Sequence, residues 1–115
     1  MTLTIKTTNP SALFAAIKKK IDDKEIDTWS YDEDNDFIHV PSQWKEKAWL
    51  RPKTAIGSLQ FGIIGQQDIE LTRYIYAVYH GRFAEMLISH FGMNFSDISI
   101  SPNPLKGIDA NLKLV

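Results

Sequence analysis

Residues 76–91, YAVYHGRFAEMLISHF, have the periodicity of one long helix, and this helix decides how the rest of the chain can be arranged. Start and stop signals extend the predicted helix from Asp68, as the cap, to Phe91, with Gly92 as the stop. At ~1.5 Å per residue it is about 35 Å long, which is enough to cross a small sheet. We therefore expect it to cover the sheet of a mixed fold.

The predicted helix has two different apolar sides. Most of its large apolar side chains recur at helical spacing on one side, which should cover the sheet. The other side carries a small-residue stripe at positions i, i+4, i+7 and i+11, formed by Ala77, Gly81, Ala84 and Ile88. A glycine inside a helix costs about 1 kcal/mol relative to alanine, so it usually has a packing reason. We expect the first helix to pack on this stripe, with a partner protein, a second copy of the chain or a break at Gly81 as alternatives.

The segments outside this helix complete an α+β pattern. Asn9 and Pro10 are typical of the start of an earlier helix. Alternation, aromatic runs and the extended backbone before Pro52 predict strands in TLTIKT, TWSYD, FIHV, AWLRPK, LQFGIIG and FSDISIS. The order β-α-β-β-β-β-α-β predicts a mainly antiparallel sheet of about four to six strands, with two helices packed on one face.

Length and composition predict one compact domain. The chain has 115 residues, no cysteine and a formal net charge of -1. We expect a single domain over residues 1–101 and a turn-rich C-terminal tail over residues 102–115, loosely held or docked on the domain. Without cysteine there are no disulfides, and no apolar run reaches the ~20 residues of a membrane span. These features predict a small bacterial-type protein of the cytoplasm with no membrane partner.

The enzyme alternative depends on three side chains. His80 and His90 are ten residues apart in the predicted helix, so they lie ~15 Å apart along its axis and cannot share a metal. His39, expected opposite Tyr31 in the hairpin, could join His80 and Arg82 in a cleft, as in a small metal-independent hydrolase or nuclease. The chain has no triad signature, phosphate-binding loop or cofactor motif. We therefore expect no metal and no cofactor, and favour a protein that is not an enzyme.

Two opposed charge patches are candidate binding surfaces. The acidic turn, residues 32–36, has three aspartates at ligand positions of a calcium loop but lacks the loop's glycine and its glutamate, so a solvated hairpin tip is expected. Arg82 is a charge predicted to turn towards the apolar side of the helix, so it is expected to pair with a carboxylate of this turn or with a carbonyl oxygen at a strand end. The basic segment runs from Lys45 to Lys53, and as a strand it would project cations and a tryptophan from one face. The candidate binding residues are Lys47, Trp49, Arg51, Lys53 and Trp44.

These patches and the three tryptophans favour a non-enzymatic macromolecular binding protein whose partner is another protein. A role like that of an immunity protein or an antitoxin belongs to this class. Single-stranded nucleic acid bound through the basic segment is an alternative, although the net charge of -1 gives no general attraction for it. A solvated sheet edge would explain the same lysines and Pro52 without any partner.

Overall fold

A computed structural model describes residues 2–67, 71–103 and 109. In these residues the elements follow the order β-α-β-β-β-β-α-β, which confirms the predicted α+β class. The strands are β1 (Thr2–Lys6), β2 (Trp29–Tyr31), β3 (Phe37–His39), β4 (Ala48–Ala55), β5 (Ser58–Gly65) and β6 (Asp97–Ile100). The helices are α1 (Pro10–Asp22) and α2 (Arg73–Phe91).

All six strands form one antiparallel sheet in the order β2-β3-β4-β5-β1-β6. Its centre is the long β4–β5 hairpin, which turns at Gly57 with a φ of 75°, a left-handed conformation that suits a residue without a Cβ. β3 pairs with β4 at Phe37 and Leu50. Among the described residues, the part of β4 beyond Leu50 therefore borders no strand on that side, and it is partly a free edge.

Both helices lie on one face of the sheet, as predicted. Phe37 shows this directly, because its ring centroid lies 6.0 Å from that of Phe14 in α1 and 5.7 Å from that of Phe83 in α2. Phe83 also contacts Trp29 and Phe61, at centroid distances of 4.9 and 4.5 Å. The core is thus an aromatic cluster between the helices and the sheet, and neither helix covers the opposite face.

The first helix begins where the sequence predicts. The side chain of Asn9 accepts a hydrogen bond from the backbone N–H of Ala12 at 3.1 Å, and Pro10 occupies the first helical position. At the other end, Lys20 Nζ donates to the carbonyl oxygen of His90 at 3.3 Å. The last turn of α1 is therefore tied to the last turn of α2.

The long helix is shorter at its start than predicted. Thr72 caps it, since its hydroxyl accepts a backbone N–H of the first turn at 3.2 Å, and the helix begins at Arg73. The predicted start at Asp68 is wrong, and that residue lies outside the described ranges. The helix ends at Phe91 as predicted and is continuous through Gly81, so the alternative of a break there is wrong. Neither described helix is both long and apolar enough to cross a membrane.

The predicted tail falls mostly outside the described ranges, which include residues 102, 103 and 109 of it. Asp109 Oδ1 accepts a hydrogen bond from the backbone N–H of Ile63 at 2.7 Å. This contact joins one tail residue to β5. The boundary at residue 101 and the placement of the remaining tail stay predictions.

Candidate functional site

The open face, the side of the sheet opposite the helices, displays the basic segment. In β4, the buried Ala48 and Leu50 alternate with Trp49, Arg51 and Lys53, which project from the other side. The structure thus places three of the candidate binding residues on one face, as the predicted strand requires. Lys47, also a candidate, is exposed and precedes the strand.

Trp49 lies in an apolar part of the open face. It is half-buried, and its cross-strand neighbour in β5 is Ile64. Ile38 projects to the same side, because it follows the inward-facing Phe37 in β3. Trp49 therefore lies beside apolar neighbours on this face and stays partly accessible to solvent.

Arg51 is held in place by a two-point ion pair with Asp36. Its Nε donates to Oδ1 at 2.9 Å and its Nη2 to Oδ2 at 2.8 Å. The Asp36 side chain is 8% exposed and the Arg51 side chain 56%, so a buried carboxylate orients an accessible guanidinium. The hydrogen bond to Asp36 also raises the pKa of Arg51. Arg51 is thus pre-oriented on the open face.

The prediction that the acidic turn pairs with Arg82 is therefore wrong. Arg82 lies on the solvent side of α2, and its Nη1 is 3.5 Å from Glu85 Oε2, one turn along the same helix. Within the turn, Asp32 Oδ1 accepts hydrogen bonds from the backbone N–H groups of Asp34 and Asp36, at 2.9 and 3.0 Å. The three aspartate side chains come within 4.8 Å of one another, but that of Asp32 accepts hydrogen bonds within the turn and that of Asp36 is paired with Arg51. These contacts explain the cluster as the structure of a hairpin tip.

A concave surface, which we call the cleft, lies on the helix side of the sheet. It has a volume of about 330 Å³ and is bordered by residues 25–28, by residues 41–44 and by the second half of α2. His39 and Trp29 lie at its base, stacked with ring centroids 4.3 Å apart. Trp29 and His39 are cross-strand partners in β2 and β3. The expected pairing of His39 with Tyr31 is therefore wrong by two residues along β2.

The three catalytic candidates do not all meet in this cleft. His39 and Arg82 line it, and His80 does not. The His80 side chain is buried in the core, where its Nδ1 donates to the carbonyl oxygen of Tyr76, one turn earlier in α2, at 2.9 Å. His39 Nδ1 donates to the carbonyl oxygen of Thr28 at 2.9 Å, and burial lowers the pKa of its ring. The cleft therefore holds a neutral imidazole near neutral pH.

Trp44 belongs to the cleft rather than to the open face. Its ring centroid lies 5.7 Å from that of Tyr74, and its carbonyl oxygen accepts a hydrogen bond from the hydroxyl of Tyr79. Sequence reasoning grouped Trp44 with the basic segment because the two are adjacent in the chain. The acidic residues Glu25, Asp27 and Glu85 of the cleft were not recognised, since they come from separate segments.

The small-residue stripe of α2 faces away from the sheet. Ala77, Gly81 and Ile88 are exposed, and Ala84 is partly buried at the edge of the core. A Cβ at Gly81 would meet no heavy atom of the described residues within 4 Å. The prediction that α1 packs against this stripe is therefore wrong. An interface there with a partner or a second copy stays a prediction.

No protein-family model, no curated protein and no solved structure matches the chain. Function is therefore inferred from two surfaces, the open face around Trp49 and the cleft around His39. The first is an extended strand surface, whereas the second is a concavity of about 330 Å³.

Proposed function

We propose that this chain is a non-enzymatic binding protein that holds another protein against the open face of its sheet. The observation that carries the proposal is the position of Trp49, half-buried and accessible beside the fixed guanidinium of Arg51. Tryptophan and arginine are the residue types that most often carry binding energy at protein interfaces. An immunity- or antitoxin-like role, in which the partner is neutralised by binding, is one form of this function.

The open face is well suited to binding because its anchor side chains are already ordered. Trp49 lies opposite its cross-strand neighbour Ile64, and two hydrogen bonds to Asp36 orient the guanidinium of Arg51. Side chains ordered before binding lose less conformational entropy when a partner docks, so more of the contact energy remains as affinity. The strand-borne anchors also keep a fixed spacing along β4.

Charge on the open face favours a partner with carboxylates. Lys53 is an exposed cation that follows Trp49 and Arg51 on the open face of β4. Lys6 is exposed at the end of β1 and projects to the same face. Asp36 offsets the charge of Arg51, and Asp97, the exposed cross-strand neighbour of Lys6, offsets the charge of that lysine. Lys53, whose cross-strand neighbour is the neutral Gln60, therefore contributes most of the positive charge of this face. Complementary charge of this kind would increase the association rate more than the final affinity.

Single-stranded nucleic acid is the second candidate partner of the same surface. It is favoured by an accessible tryptophan between basic side chains on a sheet face that neither described helix covers, since bases can stack on such a platform. The pairing of Arg51 with Asp36 and the net charge of -1 weigh against it. The third alternative, a hydrolase or nuclease using His39, His80 and Arg82, has less support because the His80 ring is buried away from the cleft.

The test is affinity capture from a lysate of the source cell, with three proteins as bait: the wild type, a Trp49 variant and a Tyr74 variant. Trp49→Ala removes the central anchor, and Tyr74→Ala removes an aromatic side chain that is 68% exposed on α2. We expect one protein to be retained by the wild type and by Tyr74→Ala and to be lost with Trp49→Ala. Retention that disappears after nuclease treatment would favour nucleic acid instead, and equal retention by all three baits would contradict the proposed surface.

A further inference from the structure

The cleft combines an acidic rim with an aromatic wall. Glu25, Asp27 and Glu85 contribute carboxylates, and the ring of Trp44 borders the same space. Arg82 also lines the cleft, and it lies beside Glu85. Glu25 and Asp27 form no ion pair with any residue of the described ranges. The rim therefore has more negative than positive charge.

The base of the cleft adds a further hydrogen-bond acceptor. His39 is 4% exposed and lines the cleft, and its Nδ1 must carry the proton because the carbonyl oxygen of Thr28 can only accept. Its other nitrogen, Nε2, is then an acceptor in the neutral ring. Nε2 has no hydrogen-bond partner among the described residues. Nε2 is not one of the buried side-chain atoms that lack a partner, so it is open to the cleft, where water or a ligand can supply a donor.

We propose that this cleft binds a cationic nitrogen group, either an ammonium or a guanidinium, of a small amine or of a basic side chain. Such a group carries several N–H donors and a positive charge, and it would bind between His39 Nε2 and the carboxylate of Asp27. Glu85, which pairs with Arg82, adds a further negative charge to the rim. The face of Trp44 offers a cation–π contact. A volume of about 330 Å³ accommodates one side-chain-sized ligand and is small for a cofactor. This site is separate from the open face and does not depend on it.

The experiment uses tryptophan fluorescence in a Trp49→Phe background. The chain has three tryptophans, so this change leaves Trp29 and Trp44, both of which line the cleft. The probes are agmatine, the peptide acetyl-Gly-Arg-Gly-amide and the same peptide with neutral citrulline in place of arginine. We expect a saturable change in tryptophan fluorescence with agmatine and with the arginine peptide. The citrulline peptide should bind at least about tenfold more weakly, because it lacks the charge. Tighter binding of the arginine peptide than of agmatine would identify a protein side chain as the source, and the reverse order a free amine.

Variants of the rim locate the site. Glu85→Gln and Asp27→Asn should each weaken binding of agmatine about two- to fivefold, as expected for accessible ion pairs. Glu33→Gln, which neutralises an exposed carboxylate in the acidic turn, is the matched control and should leave binding unchanged. Equal binding of the citrulline and arginine peptides would overturn the proposal. It would also be overturned by the absence of saturable binding, or by rim variants that bind like the control.

Discussion

Gly81 lies in the middle of α2 and faces solvent, so Gly81→Ala is expected to stabilise the protein. Glycine in a helix costs about 0.8–1.0 kcal/mol relative to alanine, because its backbone loses more freedom on folding. A Cβ at this position would meet no heavy atom of the described part of the chain within 4 Å, so no steric cost offsets the gain. The free energy of unfolding should rise by about 0.8 kcal/mol, which corresponds to about 3 °C in Tm.

The assay is urea unfolding followed by circular dichroism, with Gly57→Ala as the matched control. A Cβ at Gly57 would also meet no heavy atom of the residues that the structure describes within 4 Å, but the φ of Gly57 is 75°, where a side chain costs about 1 kcal/mol or more. The same substitution in equally open surroundings should therefore destabilise at residue 57 and stabilise at residue 81. A Gly81→Ala protein less stable than the wild type would refute this reasoning and indicate that another chain covers the stripe.

Two further predictions concern the core and the cleft. Phe83→Ala should lower the free energy of unfolding by about 4 kcal/mol, because a fully buried ring with three aromatic neighbours is lost. A loss below about 1.5 kcal/mol in the same urea assay would contradict the central position of Phe83 in the core. Burial lowers the pKa of His39 below its usual 6.5. Above pH 6.5 the His39 ring is neutral in the folded and in the unfolded protein. Below pH 6.5 the ring of the unfolded protein becomes protonated at a higher pH than the ring of the folded protein. Stability should therefore fall as pH drops from 6.5 towards the lowered pKa, by at most about 1.4 kcal/mol per pH unit, and His39→Asn should lack this part of the slope. Identical slopes in the two proteins would show that the ring is not held neutral.

The order and type of the elements were predictable because local signals agreed with the tertiary structure. In β4, the alternation of small or apolar residues with Trp49, Arg51 and Lys53 determines which side chains share a face, whatever the neighbouring strands are. The cap at Asn9 and the proline after it place the start of α1 in the same way. These signals act within a few residues, so one sequence is sufficient to recognise them.

The orientation of α2 was not predictable from its periodicity. Apolar residues such as Ile88 occur on the side that faces solvent, and a histidine, His80, occupies the buried side. His80 can be buried because its ring donates to the carbonyl oxygen of Tyr76 in the same helix, which satisfies one ring nitrogen. Residue type alone therefore assigned the wrong environment to Gly81 and to Arg82.

The cleft could not be recognised because it depends on tertiary register. Its acidic residues come from the loop after α1 and from α2, and its aromatic residues from β2 and the segment after β3. The pairing of Trp29 with His39 brings these parts together. In a hairpin whose turn length is unknown, a two-residue shift of the register keeps each side chain on its face but changes its cross-strand neighbour, so the sequence predicted Tyr31 instead of Trp29 opposite His39.

The most direct test of the open face as a binding surface is the affinity of the captured partner for purified wild-type, Trp49→Ala and Tyr74→Ala proteins. Removing an anchor of this type costs about 2 kcal/mol or more, so Trp49→Ala should weaken binding by about thirtyfold. Tyr74→Ala, an exposed aromatic on the other side of the molecule, should bind within about twofold of the wild type. A Trp49→Ala protein that binds the partner as tightly as the wild type would contradict the proposed function.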